Sequence, residues 1–293
     1  MHVPVLLQEV VLRLDPQAGD IVVDATVGLG GHACVLGKKI GKEGMIVGID
    51  EDEKALKIAE EKLKSLSCRV CLAQRNFRDI DKVFYSCGIE NADIMLFDLG
   101  MSSLQLEYSG RGFSFKSHEP LLMTMRAKPT SLTLTAYEIV NYWKEEEIAG
   151  IIREYGEETR AKEIARAIIR ERSENLIGYA DDLAEIIEKT IPKRGRLHPA
   201  TKTFQALRVA VNDEINALKE GLQKGLNLLK KNGRMGVISF HSLEDRVVKQ
   251  FFKSEERVGR ISILTKKPIM PTRAEIIENP RARSAKLRIM QKI

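Results

Sequence analysis

Short apolar runs alternate with amphipathic stretches along the first hundred residues, and this alternation limits the fold more than any other feature of the sequence. The apolar runs are Ile21 to Asp24, Met45 to Asp50, Val70 to Ala73 and Asp93 to Asp98. Between the second and third runs, helical spacing relates Leu56, Ala59, Leu63 and Leu66. Strands that alternate with crossover helices predict a parallel sheet in an α/β fold.

The pattern changes near Tyr108. A loop-like segment, Ser109 to Gly112, is followed from Ala136 by helical periodicity without a strand signal. Three amphipathic helices are indicated by Ile148, Ile151, Ile152 and Tyr155, by Ile164 and Ile168, and by Leu183, Ile186 and Ile187. A fourth, through Ile215, Leu218, Leu222 and Leu229, precedes a resumed strand pattern at Met235 to Phe240. We therefore predict one discontinuous domain, residues 1–107 and 212–293, interrupted by a helical insertion domain at 108–211.

The composition excludes a disordered chain. Hydrophobic residues make up 43% and charged residues 30% of the 293 residues, as in globular proteins. No run approaches the roughly 18 apolar residues that a membrane-spanning helix needs, and the start, Met1 to Pro4, lacks the layout of a signal peptide. We therefore expect a cytoplasmic protein. The net charge of +6 suits an anionic partner but is small for this length.

The four cysteines are Cys34, Cys68, Cys71 and Cys87. In a reducing compartment they are expected to be free thiols. Cys68 and Cys71 form a C-x-x-C pair, but no second ligand pair follows at zinc spacing. We predict no metal site.

The sharpest local signal is a glycine-rich turn between a predicted strand and helix, Asp24-Ala-Thr-Val-Gly28-Leu-Gly30-Gly31-His32. Glycine permits the positive φ of such a turn and lets a ligand approach the backbone closely. Asp50 ends the next strand, where a carboxylate can accept hydrogen bonds from both ribose hydroxyls of a nucleoside. Together these features predict a bound nucleoside; the alternative is a tight connection without a ligand.

Two classes of nucleoside compete for this pocket. A dinucleotide favours G-x-G-x-x-G, with its pyrophosphate at the helix N-terminus, but Gly28-x-Gly30-Gly31 lacks the third glycine at that spacing. An acidic residue four positions before the first glycine, here Asp24, is instead typical of S-adenosylmethionine-dependent methyltransferases. The pattern favours this methyl donor, and an NAD-dependent oxidoreductase is the alternative.

Two further residues follow strands at the same predicted edge. Phe77 follows the third strand, where an adenine would lie; ordinary core packing is the other interpretation. Asp98 ends the fourth strand, and ligands bind outside the carboxyl ends of parallel strands. We expect Asp98 to face the cleft, with a turn aspartate as the alternative.

Longer motifs extend over nearly the whole chain. They are His2 to Leu7, Asp24 to His32, Asp98 to Leu106, Arg111 to Phe115, Thr201 to Arg208, Ser239 to Arg246 and Asn279 to Ser284. On these motifs the sequence resembles the RsmH (MraW) family. The resemblance implies a Rossmann-like class I methyltransferase sheet with a helical insertion. It also implies an S-adenosylmethionine-dependent enzyme that methylates the N4 amine of a cytidine in the decoding region of 16S rRNA.

The same resemblance implies a set of site residues. By motif position, the donor would be bound by Gly28, Gly30, Gly31, His32, Asp50, Phe77, Asp98 and Gln105. From the chemistry of the cytosine amine, we also hypothesise that Asp98 accepts a hydrogen bond from it, which turns the nitrogen lone pair towards the donor methyl. His241 and Ser242 are candidates for contacting the base; a hydrogen-bonded structural histidine is the alternative. For His32, the alternative is a helix cap.

One segment departs from the family pattern. After Phe115 the family usually has Asp-Gly-Pro-Leu-Asp-Met-Arg-Met, whereas His118 to Met125 places Leu122 and Thr124 where a carboxylate and a guanidinium commonly pair. Losing both partners together removes one ion pair, which costs less than leaving one charge unpaired. The change could also impair substrate placement or catalysis. A donor-binding RNA chaperone or ribosome assembly factor with weakened activity is therefore an alternative to the active enzyme.

Two basic segments are candidates for contacts with RNA phosphates. Residues 192–211 contain no acidic residue and include Lys193, Arg194, Arg196, Lys202 and Arg208, and the C-terminal segment includes Arg281, Arg283, Lys286 and Arg288. A solvated charged face is the other interpretation of each segment. The expected partner is 16S rRNA in the small ribosomal subunit, with the target base exposed or extruded into the pocket. The sequence leaves open whether the protein is a homodimer.

Overall fold

A computed structural model describes residues 4–101, 106, 109–126, 129–130, 133–192 and 198–293. The chain forms two compact units: Met1–Gly100 with Ile215–Ile293, and Met101–Glu214. These limits lie within seven residues of those suggested by the sequence. Of the expected site residues, those outside the described part of the chain are Gln105, Lys193, Arg194 and Arg196.

The first unit contains a sheet of seven strands. They are β1 (Ile21–Asp24), β2 (Met45–Asp50), β3 (Arg69–Gln74), β4 (Ala92–Asp98), β5 (Leu229–Ser239), β6 (Ile261–Ile263) and β7 (Lys286–Lys292). Their order is β3-β2-β1-β4-β5-β7-β6. Pairing is parallel from β3 to β5, and β7 is antiparallel to both of its neighbours. The predicted α/β fold with a parallel sheet is confirmed, and the carboxyl ends of β1 to β5 lie at one edge.

Twelve α-helices lie in the described part of the chain. They are α1 (Leu7–Leu14), α2 (Gly31–Ile40), α3 (Glu53–Leu63), α4 (Ile80–Cys87), α5 (Ala136–Tyr142), α6 (Glu145–Glu154), α7 (Ala161–Arg172), α8 (Ala180–Thr190), α9 (Thr201–Val211), α10 (Glu214–Leu228), α11 (Ser242–Arg257) and α12 (Arg273–Glu278). None of them is long and apolar enough to cross a membrane.

Helices cover both faces of the sheet, which explains why its strands have continuous apolar runs. Helices α1, α2 and α3 pack on one face, and α4, α10 and α11 pack on the other. Successive side chains of a strand point to opposite faces, so Val22 and Val23 belong to different cores, as do Leu96 and Phe97. Strands buried on both faces need apolar residues at every position.

The C-terminal segment contributes β7 to the sheet. This strand was not predicted, because the segment is rich in basic residues. Arg288 lies in β7 and is only 7% exposed. Its Nε is 2.7 Å from Oδ1 of Asp245 and its NH2 is 3.2 Å from Oδ2. The prediction that Arg288 contacts phosphate is therefore wrong, because its guanidinium is buried in an ion pair. The helix predicted to reach Leu229 is also shorter than expected, since that residue begins β5.

The second unit contains α5 to α9 around a core of its own. The three helices predicted in this region are confirmed as α6, α7 and α8. Their buried residues include Ile148, Ile152, Ile164, Ile168, Leu183 and Ile187. The 3.6-residue period identified them because each helix buries one apolar face.

Cys71 and Cys87 form a disulfide, which corrects the expectation of four free thiols. Cys71 lies within β3 and Cys87 ends α4, and their Cα atoms are 6.1 Å apart. Cys34 and Cys68 are free. The C-x-x-C pair is therefore not a functional unit; the crossover from β3 to α4 places Cys71 beside a cysteine that is distant in sequence.

Replacing Cys87 should test this bond. Because it closes a loop between residues 16 apart, Cys87→Ser should lower the free energy of unfolding of the oxidised protein by about 3 kcal/mol. Urea denaturation, followed by circular dichroism with and without dithiothreitol, measures the difference. Cys34→Ser is the control and should leave the effect of reductant unchanged. Coincident curves for wild type and Cys87→Ser without reductant would show that the disulfide does not form.

Candidate active site

The glycine-rich turn joins β1 to α2 and is hydrogen-bonded to the end of β2. Gly28 and Gly30 have φ angles of 50° and 72°, in the left-handed region that favours glycine. The Gly28 N–H donates to Oδ2 of Asp50 at 2.9 Å. A Cβ on Gly30 would lie 3.3 Å from the Cα of Ala59 in α3. The glycines therefore serve both the turn and its close packing.

Asp50 accepts one backbone hydrogen bond on each carboxylate oxygen. In addition to the bond from Gly28, the Asp52 N–H donates to Oδ1 at 2.8 Å. Burial raises the pKa of Asp50 to about 6, although the two hydrogen bonds act in the opposite direction. A carboxylate offers about four acceptor positions, so two remain for hydroxyl groups of a ligand.

Thr26 ties the turn to β4. Its hydroxyl oxygen accepts a hydrogen bond from the Asp98 N–H at 2.6 Å. Its own N–H donates to Oδ1 of Asp24 at 3.3 Å. Asp24 is 1% exposed, and burial raises its pKa to about 7. The role of Thr26 was not predicted, and its position between Asp24 and Gly28 was the available signal in the sequence.

Asp98 ends β4 with one unsatisfied oxygen. Its Oδ1 is buried and accepts no hydrogen bond from the described residues. Burial, followed by the charges of Asp24 and Glu244, raises the pKa of Asp98 well above its ordinary value. Leaving a buried acceptor unpaired costs free energy, so Oδ1 fits a hydrogen-bond donor or a positive charge supplied by a ligand.

His32 lies beside Asp98. Its Nε2 is 2.9 Å from the carbonyl oxygen of Val5, so this nitrogen carries a proton and donates it. Its Nδ1 lies 3.6 Å from Oδ2 of Asp98. The N-cap of α2 is Gly30, so His32 is not the cap. A proton on either Nδ1 or Asp98 is needed for the two groups to attract each other.

Phe77 packs partly into the core. Its ring contacts that of Phe97 edge to face, with 5.8 Å between centroids. A Cβ on Gly221 of α10 would lie 2.7 Å from its Cδ2, so the glycine makes room for the ring. Phe77 remains half-buried. Core packing accounts for one side of the ring, and contact with adenine by the other stays a prediction.

His241 is the N-cap of α11 and forms a capping box with Glu244. Its Nδ1 accepts a hydrogen bond from the Glu244 N–H at 3.3 Å. In return, Oε2 of Glu244 accepts from the N–H groups of Phe240 and His241 at 2.8 and 3.3 Å. This geometry matches a structural histidine, and contact of His241 with a base stays a prediction. Ser242, the first residue of the helix, is exposed.

The segment that departs from the family pattern is fixed without the missing ion pair. The NH1 of Arg111 donates to the carbonyl oxygens of Thr124 and Met125 at 3.0 and 2.6 Å. Asn212 accepts from the Met125 N–H at 2.7 Å and donates to the carbonyl oxygen of Met123 at 2.8 Å. These bonds to the backbone do not depend on the side chains at 122 and 124, so the two substitutions leave the segment anchored.

The basic residues of α9 are less available than the sequence suggested. Arg208 is 12% exposed, and its NH2 donates to Oε2 of Glu214 at 2.9 Å. This pairing contradicts the assignment of Arg208 as a phosphate contact. The Nζ of Lys202 donates to the carbonyl oxygen of Glu157 at 2.8 Å. The same Nζ lies 3.6 Å from Oε2 of Glu158, so each of these two cations has an acidic residue beside it. In the C-terminal segment, Arg283 is exposed.

Three carboxyl groups with raised pKa values cluster at this edge: Asp24, Asp50 and Asp98. A positively charged ligand would let them ionise, whereas a pyrophosphate would add further repulsion. The residues therefore fit S-adenosylmethionine, whose sulfonium is cationic, better than NAD.

Comparisons with known proteins agree with this interpretation. A family model described as the MraW methylase family matches residues 1–293. The chain is 46% identical to the ribosomal RNA small subunit methyltransferase H of Persephonella marina, over 100% of this chain and 99% of that protein. It is 44% identical to the protein of the same name from Dictyoglomus thermophilum, over 99% and 96% of the two chains.

Solved structures give the fold. The crystal structure of an rRNA methylase candidate from Clostridium thermocellum matches over 100% of both chains, with a TM-score of 0.51 and 15% identity. A likeness at this identity concerns the fold alone. Together with the strand order described above, it confirms the Rossmann-like class I methyltransferase sheet.

Binding of S-adenosylmethionine should tighten as pH rises. The pKa of Asp50 is about 6 and that of Asp24 about 7, so both are largely protonated at pH 5 and ionised at pH 8. A cation binds the ionised forms, and displacement of one proton from a group with a pKa of 6 corresponds to about tenfold in affinity over this range. Isothermal titration calorimetry at the two pH values, in buffers of different ionisation enthalpy, measures affinity and proton release together.

A matched pair of variants separates this effect from a general charge effect. Asp50→Asn should weaken binding at pH 8 and reduce its dependence on pH. Glu61→Gln removes an exposed carboxylate of α3 and should change neither. An affinity that is independent of pH, or greater at pH 5, would contradict the role assigned to the carboxyl groups.

Proposed function

Because the chain belongs to the MraW methylase family, we propose that it transfers a methyl group from S-adenosylmethionine to the N4 amine of a cytidine in the decoding region of 16S rRNA. The observation that carries this proposal is the unsatisfied Oδ1 of Asp98, at the same strand edge as the glycine turn and Asp50. Asp98 can thus contact the amine that accepts the methyl group, while Asp50 and the glycine turn bind the donor.

S-adenosylmethionine supplies a methyl group on an already activated, cationic sulfur. The chain provides positions for the rest of the molecule. The open acceptor positions of Asp50 suit the ribose hydroxyls. The Cβ position of Gly28 has only the carbonyl oxygen of Thr26 within 4 Å, at 3.8 Å, so the glycine leaves space beside the turn. His32, backed by the Val5 carbonyl, limits the orientation of Asp98.

Asp98 performs the proton chemistry on the target base. The exocyclic amine of cytosine is a weak nucleophile because its lone pair is delocalised into the ring. A hydrogen bond from the amine to Oδ1 of Asp98 orients the nitrogen towards the methyl group and gives its proton an acceptor as positive charge develops. A carboxyl whose pKa is raised is a stronger base than an ordinary aspartate, which suits this step.

We further propose that the helical unit, Met101–Glu214, recognises the RNA substrate. Its five described helices enclose a core of their own, so it can vary in sequence without disturbing the donor-binding sheet. The bonds that Arg111 and Asn212 make to the segment at 123–125 hold this part of the unit in place. They do not favour the alternative of a donor-binding protein whose activity is weakened by the changes at Leu122 and Thr124.

Replacing Asp98 should separate catalysis from donor binding. Asp98→Asn keeps the shape of the side chain but cannot accept a proton, so kcat for methyl transfer should fall by about 10²- to 10⁴-fold, with a much smaller change in the Kd for S-adenosylmethionine. In the wild type, kcat should rise with pH through a pKa above the ordinary aspartate range, and this limb should be absent in the variant. Asp81→Asn, on α4, is the control and should retain both rate and profile.

The function itself is tested by the product. Small subunits from cells that lack the enzyme should incorporate labelled methyl groups, and nuclease digestion followed by chromatography should identify N4-methylcytidine. A label on another nucleoside, or on the C5 position of cytosine, would refute the proposed reaction. Incorporation by wild type equal to that by Asp98→Asn would remove Asp98 from the mechanism.

A further inference from the structure

Helix α11 carries a line of positive charge that its sequence does not reveal. Its four acidic and four basic residues cancel. The basic residues, however, follow i, i+3, i+7 and i+11 spacing, which places them along one side of the helix over about 16 Å. All four are exposed; they are Arg246, Lys249, Lys253 and Arg257. We call this line the α11 stripe.

The acidic residues of α11 all have partners within the protein. Glu244 caps the helix, Asp245 pairs with Arg288, Glu255 lies 3.1 Å from NH1 of Arg260, and Glu256 accepts the Ile263 N–H at 2.9 Å. In contrast, no ion pair involving Lys249, Lys253 or Arg257 occurs within the described residues. Three of the four cations of the stripe are therefore available to a ligand.

The helix is firmly seated, so the stripe has a fixed position. Val248 and Phe252 are each 1% exposed and belong to the core on one face of the sheet. The stripe begins one turn after His241, at the end of β5. That strand pairs with β4, and the Leu99 N–H donates to the carbonyl oxygen of Ile238 at 2.9 Å. The stripe therefore starts at the edge of the sheet where β4 ends in Asp98. From there it follows α11 along the face of the sheet, away from that edge.

We propose that the α11 stripe binds the phosphate backbone of the RNA strand that flanks the target base. The inference rests on the proposed function, because it takes the target base to lie at Asp98. Four exposed cations in a line complement a polymer that carries one negative charge per nucleotide, and such contacts position an RNA without reading its sequence. The exposed Arg283 cannot extend the stripe, since the turn that contains it packs through Ala282 against the core on the opposite face.

The test compares two triple variants with the same change of charge. One is Lys249→Gln, Lys253→Gln and Arg257→Gln. The matched control is Lys38→Gln, Lys39→Gln and Lys62→Gln, which alters exposed lysines of α2 and α3 on the other face. The probe is a fluorescein-labelled RNA hairpin with unpaired cytidines in its loop, titrated by fluorescence anisotropy at several salt concentrations. Calorimetry with S-adenosylmethionine verifies that each variant is folded.

The stripe variant should bind the hairpin about tenfold more weakly at low salt. The slope of log affinity against log salt should fall in magnitude by about 2, as expected when three phosphates of a single strand are no longer neutralised. In methyl transfer to small subunits, its KM for the subunit should rise while kcat changes little. The control should behave as the wild type in all three measurements.

Four results would overturn the inference. Equal loss in both triple variants would mean that only net charge matters, and wild-type binding by the stripe variant would mean that the RNA lies elsewhere. A stripe variant that lost binding to polyglutamate but not to RNA would indicate an acidic protein as the partner. In these cases the wild type would still methylate cytidine, and the proposed function would stand. A wild type that neither bound the hairpin nor methylated small subunits would refute both.

Discussion

The hydrogen bond from the Gly28 N–H to Asp50, at 2.9 Å, is the constraint on which the site depends. It joins the turn after β1 to the end of β2, and the bond from the Asp98 N–H to the Thr26 hydroxyl joins the same turn to β4. Two short bonds thus fix three strand ends relative to one another. Gly28 donates this bond from a backbone with a φ of 50°, which glycine adopts readily, so the glycine, the carboxylate and the sheet order form one arrangement.

This arrangement brings three carboxyl groups together. The free-energy cost of ionising them side by side is what favours a cationic ligand. Asp24, Asp50 and Asp98 are crowded at one edge, and burial raises the pKa of each. In the absence of a cation, such groups favour the protonated form, and the stability associated with their raised pKa values is present at low pH and lost as pH rises through them. A cationic donor reverses this preference. The same electrostatics disfavour a dinucleotide, which explains physically why a glycine-rich turn of this type serves a methyl donor.

Much of the fold could be predicted from the sequence, because strands covered on both faces need unbroken apolar runs. The runs that form β1, β2, β3, β4 and the end of β5 were found for this reason. Strand β6 has three residues, and β7 begins with a lysine and includes Arg288, so neither has such a run. The ionised side chain of Arg288 is buried only because Asp245 lies beside it, a contact between residues 43 positions apart. Charge was therefore the least predictable property: Arg208 and Arg288 are paired, whereas the formally neutral α11 presents a positive line.

The residues at the strand edge that binds the donor could be predicted from motif positions. The roles of Thr26, His32 and Glu244 required the structure, since each acts on Asp98 from a different segment.

The central claim is that Asp98 is a carboxyl group with a raised pKa, which a cationic ligand lowers. Carbon-13 NMR of the labelled Asp98 carboxyl, titrated with and without S-adenosylmethionine, measures this directly. The account predicts a midpoint well above the ordinary aspartate range in the free protein and a lower midpoint with the donor bound. An ordinary midpoint in the free protein, or one that the donor leaves unchanged, would contradict it.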